Sequence, residues 1–355
     1  MPTTDAANLN AIFKAYDVRG TVPDQIDTVL AERIGNAFVA VTGTDKVVVG
    51  HDMRPSSPDM SRAFAEGAAT AGADVTLIGL ASTDELYFAS GHLGQAGAMF
   101  TASHNPAQYN GIKMCRAMAT PIGVETGLAD IRDRVASGET LTGSAKGTIS
   151  EQDLLTEYAL YLLELAPVRG RHLKIVVDAG NGMGGLTSPA VLSQIDAEVV
   201  ELYFELDGTF PNHEANPIEP ANLVDLQQKV KETNADIGLA FDGDADRCFL
   251  VDERGELVNP SVLTGLIAAR ELAREPGSSI IHNLITSRSV PEIVTELGGK
   301  PVRTRVGHSY IKAKMAETDA IFGGEHSGHF YFRDFWRADS GMLAALHALA
   351  ALAET

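Results

Sequence analysis

The sequence predicts an α/β protein of three similar domains in tandem, and three observations carry that expectation. Segments beginning at Lys46 (KVVVGHDMRPSS), Lys174 (KIVVDAGNGMGG) and Ser278 (SSIIHNLITSRSV) share one layout: a β-branched apolar run, a Gly-rich or polar turn, then a helix-like stretch. Short buried strands alternating with helical stretches mark α/β domains with mostly parallel pairing. The segments recur at roughly a hundred residues, the size of a typical domain, and a 355-residue chain is too long for one core.

Each joint follows from local composition. The stretch SGETLTGSAKG, around 138–147, is small, polar and turn-prone, and the apolar spacing of LLTEYALYLLELA after it predicts a helix. VDERGEL, around 252–255, reads as a hairpin turn into the third unit. The expected domains are therefore 1–147, 148–255 and 256–355.

Composition narrows the function classes. A net charge of −19 argues against a general nucleic-acid or anionic-membrane binder, although a local Arg/Lys cluster could still hold a small anion. Cys115 and Cys248 are the only cysteines and fit neither a disulfide framework nor a CxxC zinc site, which points to a reducing cytosol. MPTTDAANLNAIF lacks the basic and apolar runs of a signal peptide, and the apolar segment Met342 to Ala353 is too short to span a bilayer and reads as a helix. The expectation is a soluble, cytoplasmic protein without nucleic-acid or membrane partners; its oligomeric state is open.

Four constellations bear chemistry. In Phe100-Thr-Ala-Ser103-His104-Asn105-Pro106 the serine follows the small apolar run GQAGAMF, and Asn-Pro favours a tight turn. Ser103 could be presented outward there, beside His104 and near Lys113, or could simply cap a structural loop. Asp242-Gly-Asp244-Ala-Asp246-Arg247 lies between the apolar runs ADIGLAF and CFLVD. Alternate residues of an extended chain share a face, so the three carboxylates are expected to converge. Their repulsion calls for a hard divalent cation, and Mg2+ leaves room for a phosphate oxygen. An EF-hand would require Gly at the sixth position, where Arg247 stands; a solvated acidic hairpin is the alternative.

Gly324-Glu325-His326-Ser327-Gly328-His329 is a polar turn before the aromatic run FYF; its carboxylate and hydroxyl could hold neighbouring sugar hydroxyls, but taken alone a hydrogen-bonded structural loop explains it better. No His/Cys spacing for metal surrounds His326. Arg19, in Lys14-Ala-Tyr16-Asp17-Val-Arg19-Gly20, has the planar fork that suits phosphate, but an Arg near a Tyr and an Asp is usually a surface ion pair, and in isolation that reading is preferred. A further pattern, Gly180-Asn-Gly182-Met-Gly184-Gly185 with Glu201 downstream, matches the dinucleotide-binding fingerprint. The same glycines would serve a close strand-to-helix turn.

Together FKAYDVRG, VVVGHDMRPSS, TASHNPAQYNGIKM, KIVVDAGNGMGG, FDGDADR, RVGHS and GGEHSGHF closely resemble the α-D-phosphohexomutase family, in its bacterial phosphomannomutase/phosphoglucomutase branch. The likeness runs from Phe13 to Phe330 and implies tandem mixed-sheet α/β domains of the phosphohexomutase type. It implies that Ser103 carries a phosphoryl group, donates it to a hexose 1-phosphate, and recovers the other phosphate from the resulting hexose 1,6-bisphosphate, which also serves as activator. It implies one Mg2+ held by Asp242, Asp244 and Asp246, with phosphorylated Ser103 as a further ligand. Arg247 and Arg19 would contact phosphoryl oxygens, and His104 and Lys113 are candidates for proton transfer near the serine. His308 would face the sugar or assist acid/base steps, and Glu325 and Ser327 would grip the sugar's 3- and 4-hydroxyls. His326 leans toward the phosphomannomutase rather than the glucosamine branch.

The resemblance also leads one to expect a fourth, phosphate-clamping domain of about 100 residues, which this chain does not contain. Two rivals follow: a relic that binds Mg2+ and sugar phosphate without turnover, and an NAD-dependent dehydrogenase built on the glycine pattern.

Overall fold

The computed structural model describes residues 6–355, apart from the side chains of His308 and Ser309. It contains two compact units. The first comprises the residues up to Leu154 together with Asp207–Thr209.

Its helices are α1 (Ala6–Ile12), α2 (Thr28–Thr42), α3 (Ser57–Thr70), α4 (Thr83–Leu93) and α5 (Leu128–Ser137). Its strands are β1 (Asp17–Thr21), β2 (Lys46–His51), β3 (Asp74–Leu80), β4 (Ala96–Phe100), β5 (Tyr109–Arg116), β6 (Thr120–Pro121) and β7 (Ile149–Glu151). They form one sheet in the order β1-β5-β4-β2-β3-β7, with β6 beside β5. Strands β4, β2, β3 and β7 run parallel, and β5 turns back antiparallel to β4 and β1. The turn-prone stretch 138–147 leads into β7, which pairs with β3 inside this unit.

Local signals set the element ends. The Asp27 carboxylate accepts the Leu30 N–H at the start of α2, and Gly43, at φ 66°, ends it with its N–H on the Val39 carbonyl. The apolar stripe of α2 meets α3 and the sheet in a core where the Phe64 ring lies 5.7 Å from Phe38 and 5.6 Å from Phe100.

The second unit holds two further sheets. Its helices are α6 (Leu155–Leu165), α7 (Gly184–Leu192), α8 (Val224–Thr233), α9 (Pro260–Arg274), α10 (Ser289–Glu296), α11 (His308–Thr318) and α12 (Gly341–Ala353). Strands β8 (Leu173–Asp178), β9 (Ala197–Leu202), β10 (Ile237–Phe241), β11 (Cys248–Asp252) and β12 (Leu257–Val258) form one sheet, ordered β12-β11-β10-β8-β9. Strands β13 (Ser279–Asn283), β14 (Lys300–Thr304), β15 (Phe322–Gly324), β16 (Phe330–Phe332) and β17 (Ala338–Asp339) form the other, ordered β14-β13-β15-β16-β17. The expected helices at 154–166 and 342–353 are α6 and α12, and the expected hairpin at VDERGEL joins β11 to β12.

The three sheets repeat one device. In each, a parallel set ends where the next strand reverses: β4 to β5, β10 to β11, and β15 to β16. The connections at those reversals carry Ser103, then Asp242 to Asp246, then Glu325 to His329. The topology thus places each polar constellation at the end of a buried strand. Among the described residues no helix is long and apolar enough to cross a membrane.

Candidate active site

In the first unit the chain leaving β4 makes a turn in which Ser103 is buried and left-handed, at φ 50°. An L-residue rarely holds that conformation unless its surroundings fix it. Here the Ser103 N–H donates to the Thr101 hydroxyl (2.9 Å), and the Ser103 Oγ lies 3.1 Å from His104 Nδ1. Beneath the turn sits Arg54, wholly buried. Its Nη1 donates to the carbonyls of Pro106 and Tyr109 at 2.9 Å, and its Nη2 to those of Ser103 (2.9 Å) and Asn105 (2.6 Å). Asp52 takes the remaining face, accepting from Arg54 Nε at 3.2 Å and the Ser57 hydroxyl at 2.6 Å. Burial pushes the Asp52 carboxyl above its ordinary range, and the Arg54 charge opposes that rise.

Arg19 on β1 joins this loop. Its Nη1 donates to Asn105 Oδ1 and its Nη2 to Asp17 Oδ2, both at 2.6 Å. Arg19 therefore makes the ion pair expected of it and also reaches the serine loop. The register sets Asp17 opposite Lys113 on β5, so Asp17, Arg19 and Lys113 share one face of the sheet.

In the second unit Asp242, Asp244 and Asp246 do converge, but not by strand alternation. The sequence suggested an extended run; residues 242–246 instead form a turn between β10 and β11, with Ala245 at φ 59° and its N–H on the Asp242 carbonyl (3.0 Å). The reversal of direction, rather than the pleat, gathers the carboxylates. All three are buried, with one oxygen of each within 4.8 Å of the others.

Arg247 closes one side: its N–H donates to Asp242 Oδ1 (3.2 Å) and its Nε lies 3.3 Å from Asp242 Oδ2. Burial pulls the guanidinium down, but Asp242, Asp246 and Asp244 outweigh that and hold it above its ordinary value. Three hard oxygen donors against one guanidinium leave the turn net negative, which fits a divalent cation such as Mg2+. Asp246 belongs to a second close set with His329 and Asp339, but there the Lys312 ammonium sits 2.7 Å from Asp339 and supplies the positive charge.

The turn between β15 and β16 lies against this loop in the same unit. His329 bridges to Arg247, and the Cys248 N–H donates to the Gly328 carbonyl (3.2 Å). His329 Nε2 comes within 3.5 Å of Asp246 Oδ1, and its Nδ1 lies 3.0 Å from the Ser327 hydroxyl. Burial alone would lower the His329 pKa; Asp246 reverses the sign and raises it. Glu325 is buried and held on both oxygens. Oε1 accepts from Asn283 Nδ2 (3.1 Å) and the Gly307 N–H (3.0 Å), and Oε2 from the Tyr331 hydroxyl (2.7 Å). Burial and then the Glu325 charge push the Tyr331 phenol well above its usual range, so it remains a donor. His326 is exposed. The side chain of His308 lies outside the described residues, although the backbone of its neighbour Gly307 is the one that meets Glu325.

The structure thus gathers Arg19, Ser103 and His104 in one unit, and the three aspartates, Arg247, Glu325 and Ser327 in the other. Sequence reading gave no role to Arg54, Asp52, Thr101, Asn283, His329 or Tyr331. A signal existed for the first two, since HDMR sets an acid and an arginine two apart directly after the apolar run KVVVG.

Comparison with known proteins fits this geometry. The three phosphoglucomutase/phosphomannomutase alpha/beta/alpha domain models match in order: domain I at residues 10–142, domain II at 155–255 and domain III at 260–355. The chain belongs to the phosphoglucomutase/phosphomannomutase family. A phosphohexose mutase of Xanthomonas campestris is 43% identical over 333 residues, 93% of this chain and 74% of that protein. A phosphomannomutase of Vibrio cholerae is 40% identical over 343 residues, again 93% of this chain and 74% of that one. The crystal structure of a family protein from Burkholderia thailandensis superposes with a TM-score of 0.93 at 36% identity, covering 100% of this chain and 78% of that chain. The chain therefore spans about three-quarters of the length of such family members. Membership also removes the dinucleotide reading of Gly180–Gly185: the Met183 N–H at that turn donates to the Gly243 carbonyl of the aspartate loop (2.9 Å).

Proposed function

We propose that the chain interconverts hexose 6-phosphate and hexose 1-phosphate, with mannose or glucose as the sugar, by passing a phosphoryl group through Ser103. The observation that carries this is the serine turn itself, a strained left-handed residue beside His104 on a loop whose carbonyls are gripped by Arg54. Such a conformation is costly and persists where the surroundings fix it, here through the Arg54 grip and the Thr101 hydroxyl, which hold the Ser103 hydroxyl beside His104.

In the proposed cycle the bond between Ser103 Oγ and phosphorus breaks as a sugar hydroxyl forms a new one. The hydroxyl proton passes to a neighbouring base, for which His104 and Lys113 are the candidates, and the released Ser103 oxygen takes up a proton to become the hydroxyl that attacks in the second half. The hexose 1,6-bisphosphate so formed then returns its other phosphoryl group to Ser103, and the same bisphosphate supplied from outside acts as activator. Arg19 and Arg247 offer planar forks to phosphoryl oxygens. Glu325 and Ser327 orient the sugar hydroxyls, with His308 assisting. Mg2+ held by Asp242, Asp244 and Asp246, with phosphorylated Ser103 as a further ligand, would neutralise phosphoryl charge. A reducing, cytoplasmic setting agrees with two cysteines that are both buried and unbridged.

The test is conversion of mannose 1-phosphate and glucose 1-phosphate to the 6-phosphates, with Mg2+ and a trace of glucose 1,6-bisphosphate. Turnover lost in Ser103→Ala is the expected result. A folded chain that binds metal and sugar phosphate but does not turn over would overturn the proposal in favour of a binding role.

A further inference from the structure

The mutase reading leaves the glycine-rich turn between β8 and α7 without a task. Two contacts give it one. The Met183 N–H donates to the Gly243 carbonyl at 2.9 Å, and Gly243 is the residue between Asp242 and Asp244. A Cβ added at Gly182 would stand 2.7 Å from the Gly243 oxygen and 2.9 Å from its Cα, distances that real side chains do not keep. Gly182 therefore lets the turn touch the backbone of the aspartate loop directly.

The other side of the turn is anchored. The Asn181 N–H donates to the Tyr203 carbonyl (2.8 Å) and its Nδ2 to the Glu205 carbonyl (2.9 Å), while Asn212 Nδ2 donates to Asn181 Oδ1 (2.8 Å). A side chain at 182 cannot be relieved by retreat of a turn so tied, so the displacement falls on Gly243 and on the two aspartates flanking it.

We propose that this turn is the positioning element of the metal loop: Gly182 and the Met183 amide fix where the Asp242 and Asp244 carboxylates stand. The proposal rests on the assignment of Asp242, Asp244 and Asp246 as the Mg2+ site. The groups that orient metal ligands commonly set affinity by about 10- to 100-fold. A backbone strut suits an acidic loop, since it adds no cation to compete with the metal.

The experiment is Mg2+ titration by calorimetry on the full chain, with thermal melts in EDTA, for Gly182→Ala and Gly185→Ala. The second variant is the control: its Cβ would meet the Phe204 carbonyl, at 2.2 Å, rather than Gly243. The expected result is that both melt earlier in EDTA, while only Gly182→Ala loses Mg2+ affinity, by about 10-fold or more. Equal Mg2+ affinity in the two would overturn the proposal. Should Gly182→Ala not fold, Asn181→Gly, which adds no atom and keeps the left-handed turn, carries the test. A several-fold loss of Mg2+ affinity supports the strut, and wild-type affinity contradicts it. Asp244→Asn separates the two levels: unchanged Mg2+ binding in that variant would sink the metal assignment, and the strut with it.

Discussion

The serine loop and the aspartate loop occupy the same place in their sheets, yet opposite means hold them. Beneath the serine loop lies a buried guanidinium that donates to four carbonyls, neutralised in turn by Asp52. The aspartate loop rests on backbone: the Met183 amide and the close approach of Gly182 to Gly243. The difference follows from what each loop must present. A serine that takes and releases a phosphoryl group tolerates a cation below it. The aspartate trio already has Arg247 against Asp242, and a second cation beneath it would cancel more of the charge gathered for the metal, so shape serves there instead.

The largest effect expected from that contrast is at Arg54. Arg54→Met removes the guanidinium from the carbonyls of residues 103, 105, 106 and 109 and leaves the buried Asp52 carboxylate without its counter-charge, a loss of about 3–5 kcal/mol. Urea denaturation should show it with or without Mg2+. Arg54→Lys should recover only part, because an ammonium has three donors and no planar fork. A wild-type midpoint for Arg54→Met would break the comparison.

Next comes a buried acid with acidic neighbours. Burial, followed by the charge of Asp84, pushes Glu85 at the start of α4 up to about 8. The folded pKa lies above the unfolded one, so the stabilisation is complete below about 4.5 and fades as pH rises through about 8. Melting temperatures between pH 5 and 8.5 should fall for the native chain and stay flatter for Glu85→Gln, a difference of about 4 kcal/mol. Parallel pH profiles would contradict it.

Asp244→Asn should lower Mg2+ affinity by about 10-fold or more while leaving the melt in EDTA unchanged or higher, since one repulsive charge is gone. That is the mirror image of Arg54→Met, where stability fails and the metal is irrelevant. Tyr331→Phe should be mildest: one donor to Glu325 is lost, costing about 1 kcal/mol. The change should appear as a raised KM for sugar phosphate with little change in kcat.

Much of the architecture was legible because strand and turn lie next to each other in sequence. The runs at Lys46, Lys174 and Ser278 each become a parallel strand, β2, β8 and β13, followed by a turn and a helix. Ser103 and the three aspartates stood out for the same reason, each constellation being contiguous. The convergence of the aspartates was expected on the wrong geometry: alternation in DGDAD suggested a pleat, while the Asp-Gly step between two apolar runs carried the signal for reversal. Arg54 serves a loop some 50 positions away, and Asn283 meets Glu325 across 42. Such partners are fixed by sheet order, which no local pattern encodes. The glycine motif was visible but ambiguous, because close backbone approach to a phosphate and to a neighbouring loop require the same missing side chain.

The most direct measurement is the phosphorylation state of Ser103, read by peptide mass spectrometry after incubation with glucose 1,6-bisphosphate. Phosphate on Ser103 with Mg2+ present, absent in EDTA and in Asp244→Asn, is the predicted result. An unmodified Ser103 in a folded, Mg2+-loaded chain, or phosphate carried on another residue, would contradict the assignment of this serine as the phosphoryl carrier.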